Sequence, residues 1–189
     1  MTLSLLNIGC TDKYSCNKPS LTFANQDIHI TTLDADPQAQ PDILHDFTDP
    51  LPKEWIGKFD ILYLSHVLEH ILRAKLAQVM TNCRFALREK GELWIYVPSL
   101  EWACKEILAG RETMVVQGAL YGGQTDDLDL HRCAFTLPAL VQLVAHQGFD
   151  IKQAGTGKFL CGWGDKVYEI PQNVVVGVKR ADSLVAAGD

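Results

Sequence analysis

The stretch "YLSHVLEH", residues 63–70, places two histidines and a glutamate directly behind an apolar run that reads as a buried strand. His66, Glu69 and His70 fall at i, i+3 and i+4, so a helix starting here carries all three on one face. Three chemistries fit that pattern. One histidine can deprotonate an acceptor hydroxyl or amine, because an unperturbed imidazole titrates near 6.5. The three together can bind a divalent cation, and a histidine in first place favours a transition metal over magnesium. Alternatively the pattern marks a helix start, with Glu69 complementing the helix dipole and His70 packing locally. The helix-start reading is taken for Glu69, the base reading for His66 or His70, and no metal is assigned.

A second polar group lies in "YGGQTDDLDLHR", residues 121–132. Tyr121, Gln124, His131 and Arg132 surround two adjacent glycines that let a chain fold over a site. On these residues alone the segment is an ordinary surface loop with solvated aspartates.

The elements that must position both groups follow from periodicity. "LSLLNIG" (3–9) suits a buried strand opening into a tight turn, and "DIHITTLDAD" (27–36) alternates as a second strand. "DILHD" (42–46) is a third strand, the proline-rich 50–58 a loop, and "FDILYLS" (59–65) a fourth strand. Residues 67–88 carry apolar positions at helical spacing, with Gly91 as the terminating glycine. "ELWIYVPSL" (92–100) is a fifth strand, and 101–120 a helical stretch broken near Gly110. Residues 136–149 form an amphipathic helix with Thr136 as N-cap and Gly148 past its end. Two closing strands flank "CGWGDK", and residues 181–189 are expected to fray.

Strands alternating with helices or loops predict an α/β domain over residues 1–180 with a mostly parallel sheet. In such sheets ligands bind outside the carboxyl ends of the strands. The informative residues are therefore Gly9, Cys10 and Thr11, then Asp34, then Asp46 and Phe47, then Ser65 and His66. The fingerprint G-x-G-x-x-G is missing from the sequence, so no diphosphate cradle is expected. A carboxylate at Asp34 can accept from both hydroxyls of a ribose. Asp46 beside Phe47 suits the amino group and ring of a purine. Each aspartate singly is also an ordinary cap or turn former. Together, the three strand ends point to a nucleoside without a diphosphate.

Composition narrows the partners. The 189 residues are 47% hydrophobic with a formal net charge of −6, and no lysine or arginine cluster is present. Phosphate-neutralising side chains are what a grip on nucleic acid needs, so that partner is not expected. No segment approaches the roughly 18 apolar residues of a membrane span. The N-terminus lacks a basic signal region, and the six cysteines are scattered without metal spacing. Reduced thiols and a cytoplasmic location are the corresponding expectation.

The ordered series "LNIGC", "ITTLDADP", "PDILHDFTDPLP", "FDILYLSHVLEHI" and "LREKGELWIYVPSL" resembles class I S-adenosylmethionine-dependent methyltransferases. Within that class it is similar to a small group common among glycan- and cell-surface-biosynthesis proteins, and the later "YGGQ…HR" is similar as well. The resemblance covers about residues 5–135. It implies a Rossmann-like sheet of seven strands whose last strand is antiparallel, with flanking helices. It implies S-adenosylmethionine as cofactor, with Asn7, Gly9 and Cys10 along its methionine and ribose side. Asp34 would hold the ribose hydroxyls, Asp46 the adenine amino group, and Phe47 the ring. Ser65 and His66 would sit beside the sulfonium. Thr11 stands where the family has its second glycine, which tightens the first turn. "LREKGELWI" replaces the family's Pro-Gly-Gly.

On this resemblance, residues 121–132 become an acceptor lid. Glu69, Tyr121, Gln124 and Arg132 would contact the acceptor, and His131 joins His66 and His70 as a candidate base. The expected function is methyl transfer to an oxygen or nitrogen of a small-molecule or glycan-like acceptor. Two rivals stand beside it. One is a non-catalytic domain that keeps the fold for partner binding, which Thr11 favours. The other is a nicotinamide-dependent oxidoreductase, which the missing diphosphate loop counts against.

Overall fold

The computed structural model describes residues 2–9, 18–163 and 166–181. Cys10 and Thr11 of the first strand turn, and residues 182–189 of the expected frayed tail, lie outside them.

Seven strands form one sheet: β1 (Leu3–Ile8), β2 (Ile28–Asp34), β3 (Ile43–Leu44), β4 (Phe59–Ser65), β5 (Leu87–Pro98), β6 (Phe149–Trp163) and β7 (Lys166–Lys179). Their order is β3-β2-β1-β4-β5-β7-β6. β1 to β5 pair in parallel, while β7 runs antiparallel to both β5 and β6. β6 therefore shares the direction of β1 to β5, and β7 alone opposes them.

β4 shows why the apolar runs become strands. Six of its seven residues are buried, as expected for a central strand covered on both faces. On one face packs α2 (Leu76–Ala86), which turns Leu76, Val79, Met80, Cys83 and Ala86 inward at helical spacing. Beside it lies α5 (Leu137–His146), which buries Leu140 and Val144. On the other face, after the short α1 (Pro19–Thr22), Phe23 packs edge-on against Trp94, 5.1 Å between centroids. Fully burying one such leucine contributes about 1.5–3 kcal/mol, so the two layers hold the strand ends in fixed register. No helix among the described residues is long and apolar enough to cross a membrane.

The connection after β4 departs from the predicted helix over 67–88. Two 3-10 turns, Leu68–His70 and Arg73–Lys75, precede α2. The helix ends at Ala86, and Gly91 lies inside β5 instead of closing it. There its missing Cβ is structural: a Cβ would stand 3.0 Å from the Arg88 carbonyl oxygen and 3.1 Å from that of Asp60. The break near Gly110 is present, between α3 (Leu100–Leu108) and α4 (Met114–Tyr121), with φ +67° at the glycine. Thr136 caps α5 as expected, accepting from the Ala139 N–H at 3.3 Å.

Glu101 on α3 ties three elements together. Its carboxylate accepts from the Leu137 N–H and from Ser99 Oγ and Asn173 Nδ2, both at 3.1 Å. Burial raises its proton affinity, but these hydrogen bonds outweigh burial and hold the carboxyl below its usual range. A depressed carboxyl stabilises the fold above its unfolded pKa, and that contribution is lost as pH falls through the folded value. Glu101→Ala is expected to cost about 1–2 kcal/mol at neutral pH. In urea melts the wild type and the variant should converge as pH drops below about 4.3, the ordinary glutamate value. A gap that persists in acid would show the loss to be packing alone.

Candidate active site at the strand ends

In this strand order the direction of succession reverses between β1 and β4, which places the crevice at their carboxyl ends. Gly9 leaves β1 with φ +74°, and its N–H donates to the Leu33 carbonyl at 2.9 Å. A Cβ here would lie 2.5 Å from Val67 Cγ2, so the two strand exits touch at this glycine. Gly9→Ala is expected to cost about 1–3 kcal/mol, from the left-handed backbone and the clash together. Adding Val67→Ala should recover only the clash part in thermal melts. Full recovery would show that the backbone carries no strain.

The other expected cofactor residues occupy the same rim. Asn7 is half-buried on β1, in register with Thr32 of β2 and Tyr63 of β4. Asp34 ends β2, and its Oδ1 accepts the Asp36 N–H at 2.9 Å. Asp46 follows β3 and is exposed, accepting the Thr48 N–H at 2.8 Å. Both aspartates shape their own turns with one oxygen. Phe47 departs from expectation: it is 5% exposed and packs in the main core, so it presents no free face to a purine. Asn82 on α2 fixes this segment by donating to the Phe47 and Asp49 carbonyls at 2.8 Å each. Ser65 is half-buried at the end of β4.

His66 takes φ +57°, the left-handed region that a residue with a side chain seldom adopts, and its N–H donates to the Tyr96 carbonyl. Its ring is held from two sides. Nε2 lies 3.0 Å from Gln172 Oε1, and Nδ1 lies 3.1 Å from Glu69 Oε1. Gln172 Nε2 donates to the Lys158 carbonyl at 3.3 Å, which turns its oxygen toward His66. Phe159 packs on the imidazole with 4.2 Å between centroids. Both ring nitrogens thus face side-chain oxygens, of Gln172 on one side and Glu69 on the other. The ring expected as a candidate base is therefore enclosed by Gln172, Glu69 and Phe159.

Glu69 sits in the first 3-10 turn at 1% exposure, close to Pro98, Leu100, Leu120 and Phe135. Neither carboxylate oxygen accepts a hydrogen bond, because the 3.1 Å contact to His66 lacks hydrogen-bond alignment. Burial opposes the charge. The His66 contact, with attraction to His70 and His131, outweighs it and holds the carboxyl below its ordinary range. His70 Nδ1 is likewise buried without a hydrogen-bond partner.

The segment after α4 brings in the third imidazole. The Arg132 and Cys133 N–H groups both donate to the Glu69 carbonyl, at 2.6 and 3.0 Å. His131 then stands T-shaped against His70, 4.7 Å between centroids. Its Nδ1 lies 3.1 Å from the Ala119 carbonyl oxygen. A carbonyl only accepts, so Nδ1 carries the proton and Nε2 keeps its lone pair. Burial, only partly opposed by Glu69, keeps the ring below the usual histidine range. The loop itself is cross-tied: a Cβ at Gly122 (φ +78°) would meet the Asp129 carbonyl oxygen at 1.9 Å. Tyr121, Gln124 and Arg132 are exposed around it, and Arg132 donates to the Asp127 carbonyl at 2.9 Å.

Sequence reasoning missed Gln172 and Phe159. Both belong to the part of the β6–β7 hairpin at and beyond the last β5 pair, Pro98 with Gln172, so this arm reaches over the ligand side of the sheet. No local signal ties residues more than 90 positions away to His66. Only the length of the two closing strands, 15 and 14 residues, would have suggested an overhang.

No protein-family model matches the chain, and no curated protein matches it in sequence. Solved structures do match in fold. One is a SAM-dependent methyltransferase from Methanosarcina mazei, with TM-score 0.66 and 14% identity over 96% of this chain and 94% of the other. Another is the 1,6-didemethyltoxoflavin-N1-methyltransferase of Burkholderia thailandensis, solved with bound S-adenosylhomocysteine. It has TM-score 0.59 and 15% identity over 95% and 72% of the two chains. A third is the N-methyltransferase NodS of Bradyrhizobium japonicum, with TM-score 0.56 and 11% identity over 95% and 86%. The seven-strand mixed sheet is the Rossmann-like fold of these methyltransferases. At such identities the likeness is one of fold.

Proposed function

We propose that this chain transfers a methyl group from S-adenosylmethionine to an oxygen or nitrogen atom of a small-molecule or glycan-like acceptor. The observation that carries the reading is the seven-strand sheet with β7 alone reversed, whose fold matches S-adenosylmethionine-dependent neighbours, together with an acid at the end of β2. The residues fit a nucleoside cofactor without a diphosphate. Gly9 brings bare backbone to the crevice, Asp34 stands at its rim, and Asp46 is exposed beside it. Asn7, Cys10, Thr11 and Ser65 complete the proposed cofactor side. Phe47 supports it from within the core.

Bound S-adenosylmethionine supplies an already activated methyl group on a sulfonium. The protein's share is then mostly alignment, and well-oriented reactants gain roughly 7–11 kcal/mol. Asp34 accepts hydrogen bonds from the ribose hydroxyls and fixes that end. His66, braced by Gln172 and Phe159, closes the crevice at the other end. Glu69, His70 and His131 form the acceptor side and deal with the proton that the acceptor must lose. Tyr121, Gln124 and Arg132 present exposed polar groups around it. A cytoplasmic location, no membrane and no nucleic-acid partner belong to the same proposal, given an acidic chain without a basic cluster.

The test is release of S-adenosylhomocysteine by the purified chain across a panel of small alcohols, amines and oligosaccharides. Release that needs both an acceptor and Asp34 is the expected result. Tight cofactor binding with no release from any acceptor would favour the non-catalytic reading.

A further inference from the structure

The geometry points to a divalent transition-metal site formed by Glu69, His70 and His131. One ligand atom from each of the three lies within 4.8 Å of the others. Bonds of about 2.0–2.2 Å to imidazole nitrogen and carboxylate oxygen require the three side chains to close further on the ion. Two independent features show that this is more than proximity. Glu69 is 1% exposed with both oxygens lacking a hydrogen bond, and His70 Nδ1 is buried in the same condition. Buried polar atoms without partners are rare, and a buried carboxylate needs a compensating charge.

The surroundings are those of a ligand set. The Ala119 carbonyl accepts a hydrogen bond from His131 Nδ1–H and leaves the Nε2 lone pair free, the arrangement in which a metal-bound histidine is oriented by a backbone acceptor. The two N–H bonds from Arg132 and Cys133 to the Glu69 carbonyl lock the two halves of the site together. His66 Nδ1, 3.1 Å from Glu69 Oε1, supplies the outer contact to the carboxylate. Two imidazoles and one carboxylate suit zinc, iron or nickel in preference to magnesium. Three protein ligands leave at least one coordination position for an acceptor group or water. The cluster differs from the grouping that spacing suggested: His131 enters it, and His66 stands behind it.

Cation binding by these residues does not depend on the methyl-transfer reading, and the test contains no S-adenosylmethionine. The full chain, stripped with a chelator and dialysed, is titrated with Zn²⁺ by calorimetry and with Co²⁺ by visible absorption. One equivalent should bind, with the d–d bands of four- or five-coordinate Co²⁺, and zinc should raise the melting temperature. Glu69→Gln and His131→Gln should each weaken zinc binding at least about 10-fold and abolish that rise. A cooperative thermal melt of stripped Glu69→Gln, with a wild-type far-ultraviolet dichroism spectrum, establishes that the variant is folded, so weak binding there does not reflect misfolding. A wild type that binds neither ion, or one whose binding both substitutions leave unchanged, would overturn the site.

Discussion

Asp34→Asn should weaken S-adenosylmethionine binding by roughly 30–160-fold, a loss of about 2–3 kcal/mol from charge-assisted bonds to the ribose hydroxyls. Asparagine is the informative replacement. Asp34 Oδ1 already accepts the Asp36 N–H at 2.9 Å, and an amide oxygen can keep that turn closed. The substitution therefore removes charge while sparing the local fold. Calorimetry on the variant, with a thermal melt to establish that it is folded, checks the expectation. Wild-type affinity in Asp34→Asn would remove the ribose site from the end of β2. A parallel Asp46→Asn variant should lose less, because a bond to an adenine amino group is single.

The second large effect is expected at His131. With an acceptor that supports turnover, His131→Ala should lower the rate by about 10²–10⁴, the usual range for a group that handles a proton in the transition state. The affinity for S-adenosylmethionine should change by less than about twofold, since His131 is not among the residues proposed to hold the cofactor. His66→Ala should behave differently and disturb both steps, because its ring is held by Gln172 on one side and Glu69 on the other. Turnover of His131→Ala at the wild-type rate would place the acceptor elsewhere. A rate loss alone does not separate a base from a cation ligand; the zinc titration does.

Much of this was legible in the sequence. The buried strands read correctly because their apolar runs are bounded by Gly9, Asp34 and Ser65, and a central parallel strand such as β4 has little freedom to be polar. Thr136 and Gly148 marked α5 because a hydroxyl cap and a positive-φ glycine are local requirements. The helix predicted from residue 67 failed for a tertiary reason. Leu68, Ile71 and Leu72 satisfy a helical period, but the turn carrying Glu69 must accept Arg132 and Cys133 on its carbonyl. Gly91 was misread because close approach of the Asp60 and Arg88 carbonyls selects glycine as strongly as a helix end does.

The site was legible only in part. Spacing found His66, Glu69 and His70, yet it grouped them on one helical face that does not form. The partner of the Glu69–His70 pair is His131, brought in by a loop whose crossing depends on Gly122 having no side chain. Phe47 illustrates the opposite limit. An aromatic beside an acid reads as a purine platform, but the Asn82 hydrogen bonds draw its backbone onto α2 and its ring joins the core. Contacts made across 60 to 110 residues leave no periodic trace.

The central claim is that the strand ends hold S-adenosylmethionine. It is tested most directly by calorimetric titration of the wild-type chain with S-adenosylmethionine, S-adenosylhomocysteine and NADH in parallel. Micromolar binding of the two adenosyl ligands, with none for NADH, is the predicted result. Binding of NADH, or of none of the three, would contradict it.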